Sequence, residues 1–308
     1  MHGNFSFLQR LIAGLCVLLM GSSLLAAPAV LDISRIGQGP VSLTEYFAVL
    51  EDPGAKLTLA DVQSAPLAGQ FVAGVAPGEA LNLGSTRSAF WLRLRLGNPT
   101  QQTQERMLEI RSSVISSITL YYPDATGVYQ AHATGAGLPL QTRAYGNRFF
   151  VFPLQFAPQE QQFYYLRLSS LQPLVVQARL WEPAAFYRYE RNDYQSQALY
   201  FGLAIAIVLF NLLLYVSLRD KIYLLYVFSC ASMALAMVAL TGLGKEFLWP
   251  QSSFWASIAG SIGASITAFA MLPFVREMLD TRRVVPRMDR LLVALAVAWM
   301  LVILGFFV

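Results

Sequence analysis

Charge and cysteine are both scarce in this sequence. Asp, Glu, Lys and Arg make up 13% of its 308 residues, against 56% hydrophobic. The mean hydropathy of +0.49 is too high for an ordinary soluble domain. The two cysteines, Cys16 and Cys230, both fall in apolar stretches, so no disulfide is expected in the region between them. His2 and His132 are the only histidines, which leaves little basis for a histidine metal site or a catalytic triad. Gly-x-Ser-x-Gly is missing, as is a Gly-rich phosphate loop ending in Lys-Ser/Thr. Gly135-Ala136-Gly137 and Gly242-Leu243-Gly244 are turn signals, and Glu51-Asp52 sits beside a Pro-Gly turn. No catalytic residue, metal or cofactor is therefore expected in this chain. The net charge of +4 is modest and its arginines cluster beside an apolar run, which argues against a nucleic-acid partner.

Long apolar runs, by contrast, are plentiful after residue 197. Residues 201–218 carry no formal charge and stop at Arg219-Asp220-Lys221. That length crosses a bilayer as a helix. Membrane helices are expected over about 198–218, 222–242, 254–275 and 291–308. The loop 276–290 holds Arg276, Arg282, Arg283, Arg287 and Arg290, and the turn 219–221 holds Arg219 and Lys221. The loop 243–253 holds only Lys245 among the basic residues. Positive-inside asymmetry therefore puts 219–221 and 276–290 in the cytosol and residues 30–195 outside. Residues 1–29 agree: Arg10, an apolar core over 11–25 and Ala27-Pro28-Ala29 make a secretory leader, the alternative being an uncleaved first helix. The expected location is a bacterial inner membrane, multi-pass, with the N-terminal domain in the periplasm. The chain stops inside an apolar run at Val308, so a fragment of a longer protein is expected.

Residues 30–182 read differently. Phe90, Leu92, Leu94 and Leu96 share one face of an alternating run, and Trp91, Arg93 and Arg95 the other. That is a half-buried strand, closed by Gly97-Asn98-Pro99. Further strands are expected near 107–111, 117–122, 128–133, 149–156, 163–168 and 174–181, separated by Pro and Gly breakers. Many short strands at this spacing make an all-β sandwich or jelly roll. Residues 30–65 are mixed, with a short helical turn over 57–62. Residues 183–197 lose the alternation and are read as a connector: Pro183 closes the last strand, and Tyr187, Arg188, Tyr189 and Arg191 suit the lipid interface.

Two sets of motifs resemble one family, the bacterial seven-transmembrane receptors with diverse intracellular signalling modules (7TMR-DISM). Leu83-Gly84, Phe90-Trp91-Leu92-Arg93, Gly97-Asn98-Pro99, Tyr121-Tyr122-Pro123, RFFVFP at 148–153, Tyr165-Leu166-Arg167-Leu168 and Leu180-Trp181 are similar to its type-2 extracellular domain. Tyr200-Phe201-Gly202, Asn211-Leu212-Leu213-Leu214-Tyr215, Leu218-Arg219-Asp220, Tyr223-Leu224-Leu225-Tyr226 and Leu248-Trp249-Pro250 are similar to its membrane module. The resemblance implies a jelly roll akin to carbohydrate-binding modules, then seven helices, of which this chain reaches the fourth. A cytosolic diguanylate cyclase, phosphodiesterase or histidine kinase would follow; none is present here.

The organisation is that of a receptor binding a small periplasmic ligand, a glycan or a carboxylate, or a periplasmic protein. Trp91, Arg93, Tyr121, Arg143, Tyr165 and Arg167 are the candidate ligand-binding residues, since an aromatic platform with guanidinium donors suits hydroxyl pairs and carboxylates. The bland reading makes Trp91 and Tyr165 core and the arginines structural. Asn211, Gly260 and Ala264 are candidate helix-packing residues. Small residues every four positions fit either a mobile dimer face in a homodimer or static packing in one bundle. A transporter or accessory subunit would place charges inside the apolar segments, which hold almost none. A membrane-tethered glycan-processing enzyme would need catalytic acids in the outer domain.

Overall fold

The computed structural model describes residues 30–74, 80–124 and 126–306. The leader expected over residues 1–29 lies outside them. Among the described residues the chain is β-rich up to Trp181 and helical from Pro183. The strands are β1 (Leu31–Asp32), β2 (Val41–Ser42), β3 (Ala48–Asp52), β4 (Val72–Ala73), β5 (Leu81–Asn82), β6 (Ala89–Gly97) and β7 (Gln104–Ile110). They continue as β8 (Ser117–Pro123), β9 (Tyr129–Thr134), β10 (Phe150–Phe156), β11 (Gln161–Ser169), β12 (Val175–Val176) and β13 (Ala178–Trp181). Two short helices, α1 (Leu59–Gln63) and α2 (Ala65–Ala68), interrupt the strands.

One sheet runs β4-β3-β6-β11-β8-β9, with β1 parallel to the far half of β6; a second runs β10-β7-β13-β2, and β12 pairs with β5 in a two-stranded ribbon. The alternation of β6 explains the layering. Phe90, Leu92, Leu94 and Leu96 point into the sandwich and meet Leu108 and Ile110 of β7 and Phe150, Phe152 and Phe156 of β10. Each such side chain contributes about 1.5–3 kcal/mol when taken fully out of water. Asn98 ends β6 by bonding rather than by looseness. Its Nδ2 donates to the carbonyls of Gln102 (2.8 Å) and Ala157 (2.9 Å), tying two turns together.

Three details depart from the sequence reading. Residues 48–52 form β3, a strand hidden in a region read as mixed. The strand expected over 174–181 is split at Gln177 into β12 and β13, which join different sheets. The connector expected over 183–197 is helix, continuous with the first apolar segment as α3 (Pro183–Leu218). Pro183 opens this helix instead of merely closing a strand. Proline suits the first helical position because its missing N–H has no partner there anyway, and the Glu182 carboxylate caps the Ala185 N–H at 2.8 Å.

At 36 residues, α3 is about 54 Å long by the rise of 1.5 Å per residue. Its first turns pack Ala185 and Phe186 against Met107, Val151 and Trp181 on the outer face of the second sheet. Its later turns expose Leu203, Ile205, Leu209, Phe210 and Leu213. Arg219 in the left-handed region (φ 54°) reverses the chain, and Asp220 caps α4 (Lys221–Leu240) by accepting from Ile222 N at 3.0 Å. A π-turn (Gly244–Leu248) leads to α5 (Ser253–Met278), then α6 (Thr281–Val284) and α7 (Pro286–Gly305). Four helices, α3, α4, α5 and α7, are long and apolar enough to cross a membrane. Broad apolar exposure along all four is what a lipid-facing surface requires.

Candidate functional site

The face of β6 that carries Trp91 and Arg93 is covered, not open. α1 and α2 lie over it, held by a capping box in which the Asp61 carboxylate accepts from Thr58 N at 2.8 Å. Trp91 is fully buried, stacked on Tyr121 at 5.4 Å, and packs with Val62, Phe71 and Tyr165. The Arg93 guanidinium sits 4.4 Å from the Phe71 ring and donates to the Ala68 carbonyl at 3.1 Å. Arg167, further along the same face, donates to the Ala55 carbonyl at 2.8 Å. Four of the expected ligand residues, Trp91, Arg93, Tyr121 and Tyr165, are thus brought together, but as a second small core. The alternation of β6 placed Trp91 and Arg93 on one face; that Tyr121 and Tyr165 join them follows from the strand order β6-β11-β8. The cover comes from residues 57–71, which no periodicity in β6 could announce.

Open space lies instead between the two sheets. β10 is the edge of the narrower sheet, and beside it the inner faces of β8, β9 and β11 line a cleft of about 680 Å³. Inner positions are apolar along most of these strands and turn polar at this end. The row that is Leu94 on β6 becomes Tyr164 on β11. On β8 and β9, Leu120 faces His132 and Tyr122 faces Gln130. Phe152 and Leu154 line the β10 side. His132 donates from Nε2 to the Thr142 carbonyl at 2.8 Å and meets the Phe152 ring edge-on at 5.8 Å. Burial, with the nearby Glu160 charge, pushes the Tyr164 hydroxyl well above its ordinary range. Sequence reasoning missed the cleft, although tyrosine, histidine and glutamine at inward positions were visible as a break in the apolar pattern.

A third set of groups joins the sandwich to the helices. The Arg148 side chain is 3% exposed and pairs with Asp193 of α3 at 2.5 Å. Its Nη1 also donates to the carbonyl of Thr241, just past α4, at 3.0 Å. Ser113 donates to the Leu240 carbonyl at 3.0 Å, and Leu140 N donates to Pro250 O at 2.9 Å. Tyr194 of α3 donates to Glu246 at 2.7 Å, and Glu190 accepts from Tyr145 (2.7 Å) and Asn147 (2.6 Å). Gly242 permits the contact. At φ +84° any Cβ would fall 2.8 Å from Ser113 Cβ and 2.9 Å from Arg148 O. Arg143 belongs here and not with Trp91. It lies over the Phe150 ring at 4.7 Å and donates to the Asn147 carbonyl. Burial pulls its pKa down to about 10, opposed by the Glu246 charge. Burial likewise raises Glu246 and lowers Lys245. Tyr189 stacks on Trp181 at 4.7 Å, so it is packed on the sandwich rather than lying in a lipid interface.

Residues 44–182 match the family described as 7TMR-DISM extracellular 2, and residues 193–308 match 7TM diverse intracellular signalling. The chain belongs to the 7TMR-DISM family. Both of the matched 7TMR-DISM domains are of sensory or membrane type, and neither is described as catalytic. No curated protein matches the chain. Two solved structures are faintly similar to this chain. Chitosan-binding module 1 of a chitosanase/glucanase from Paenibacillus sp. IK-5 is 12% identical over 46% of this chain and 95% of that one, at a TM-score of 0.21. The enzymatically active domain of bacteriophage CBA120 tailspike protein 4 is 12% identical over 44% and 17%, at a TM-score of 0.20. Likenesses this slight carry no argument about what the 7TMR-DISM chain binds.

Within the 7TMR-DISM membrane domain the expected packing residues separate. Asn211 donates to the carbonyl of Ile207 in its own helix at 2.8 Å, so it bonds within α3 and not across to a neighbour. Gly260 faces α4, where a Cβ would lie 3.0 Å from Leu240 Cδ2. Ala264 is exposed, and Gly263 takes the close approach: a Cβ there would lie 2.8 Å from Ala236 Cα. At the opposite end from the sandwich, Lys221 pairs with Glu277 at 2.9 Å and Arg276 grips Asp289 at 2.8 and 3.0 Å.

Proposed function

We propose that this 7TMR-DISM chain is the sensing and membrane part of a bacterial inner-membrane receptor. Its sandwich faces the periplasm and binds a small ligand, a carbohydrate or a carboxylate. The bound state biases how α3, α4 and α5 sit against the sandwich. That bias reaches a cytosolic output module such as a diguanylate cyclase, phosphodiesterase or histidine kinase.

The junction carries this reading. Two separate membrane helices are bonded to one short sandwich segment, since Arg148 holds both Asp193 of α3 and Thr241 beyond α4. A shift in that segment has to move two helices together or break a buried ion pair, and breaking such a pair costs about 3–5 kcal/mol. Packed interfaces of this kind switch between discrete arrangements rather than bending smoothly. A ligand drives the switch only by binding one arrangement better than the other.

Gly242→Ala tests the relay without knowledge of the ligand. Hydrogen exchange is measured on the full chain in lipid nanodiscs. The variant should raise exchange at the junction and also change it at residues 276–290, at the other end of α5. A change confined to the junction would defeat the relay.

A further inference from the structure

We propose that the cleft between β10 and the inner faces of β8, β9 and β11 is the ligand site, and that it takes a sugar-sized hydroxylated molecule without an acidic group. The proposal rests on the receptor reading and narrows its ligand class. A cleft of about 680 Å³ falls in the range of about 300–1,000 Å³ typical of small-molecule pockets.

The chemistry of the walls sets the class. The half-buried Tyr122 gives aromatic surface for the apolar face of a sugar ring, and Phe152 and Tyr164, almost fully buried, also line the cleft. Gln162 offers an amide that both donates and accepts, as hydroxyl groups require. Tyr164 lines the cleft and is otherwise packed in the sandwich, 3% exposed. Its hydroxyl both donates and accepts, as a ligand hydroxyl requires.

The charges set the sign. No Lys or Arg lines the cleft among the described residues, whereas Asp124 and Glu160 do. The Asp124 pKa is held down to about 2 by hydrogen bonds from Thr126, from the Gln130 amide and from backbone N–H groups, so this carboxylate stays ionised. Glu160 accepts from Ala157 N at 2.6 Å. An anionic ligand would meet two negative charges and no compensating cation.

The test is a calorimetric titration of the full chain in nanodiscs with three neutral disaccharides (cellobiose, maltose and di-N-acetylchitobiose) and with digalacturonate. At least one neutral disaccharide should saturate and digalacturonate should not. Tyr122→Ala and Gln162→Ala should each weaken binding by about tenfold or more, as the loss of a stacking or hydrogen-bonding partner implies. Tyr122→Phe keeps the ring and guards against misfolding; it should bind more tightly than Tyr122→Ala. Arg167→Gln, on the other face of the sheet, should leave binding unchanged. No saturation by any neutral disaccharide, tighter binding of digalacturonate, or binding indifferent to the cleft variants would overturn the assignment. The exchange experiment on Gly242→Ala uses no ligand. An intact relay with an empty titration would therefore sink the cleft alone, and the reverse would sink the receptor.

Discussion

Glu109 shows how much the junction asks of single side chains. It is 1% exposed on β7, and its carboxylate accepts from Trp181 Nε1 at 2.8 Å. Burial raises its pKa above the ordinary 4.5, against the pull of Arg179 and Arg111 and with a push from Asp193. The folded chain therefore binds this proton more tightly than the unfolded chain does. Stability falls as pH rises from about 4.5 toward the raised value, and the loss is complete above it. Glu109→Gln keeps an acceptor for Trp181 and removes the charge. It should raise the apparent Tm at pH 7 in detergent and flatten the decline between acidic and neutral pH. An unchanged pH profile would show that Glu109 ionises in the fold without penalty. At this scale the sequence was partly legible. Alternation assigned both faces of β6, yet Arg143 and Tyr165, expected by residue type to share one site, lie on different sides of the sandwich. Residue type names the chemistry a side chain can do; only the sheet order says which side chains meet.

The helices make the same point at the scale of elements. A spacing of four picked out Gly260 and Ala264, but a helix turns 100° per residue, so positions three and four apart flank one line. The crossing of α4 over α5 selects the i+3 neighbour, Gly263, against Ala236. Gly263→Val should therefore push α4 and α5 apart and cost about 1–3 kcal/mol, the usual penalty for overpacking. Ala264→Val, on the exposed side, should be nearly neutral. Thermal unfolding of both variants in the same detergent checks this; equal losses would place the contact elsewhere. The extension of α3 was illegible for a related reason. Residues 183–197 lose the strand alternation and carry tyrosines and arginines suited to a lipid interface, which reads as a connector. Their spacing carries Phe186 and Tyr189 onto the sandwich, with Glu190 and Asp193 one turn further on. A helix that changes partners midway, from protein to lipid, has no single apolar stripe to recognise.

For the whole molecule, apolar run length and strand punctuation announced the division into a β sandwich and a membrane domain, because both are local properties of the chain. The junction was not announced. It joins residue 113 to residue 240 and residue 148 to residue 241, and contacts so distant in sequence leave no local pattern. Placement of the sandwich and the 276–290 loop on opposite sides of a membrane is the claim on which sensing, relay and output all depend. Single cysteines at Thr126 and at Arg283, with Cys16 and Cys230 replaced by serine, test it most directly. Spheroplasts are treated with a membrane-impermeant maleimide before and after permeabilisation. Thr126→Cys should label at once and Arg283→Cys only after the membrane is opened; immediate labelling of both positions, or of Arg283→Cys alone, would contradict the account.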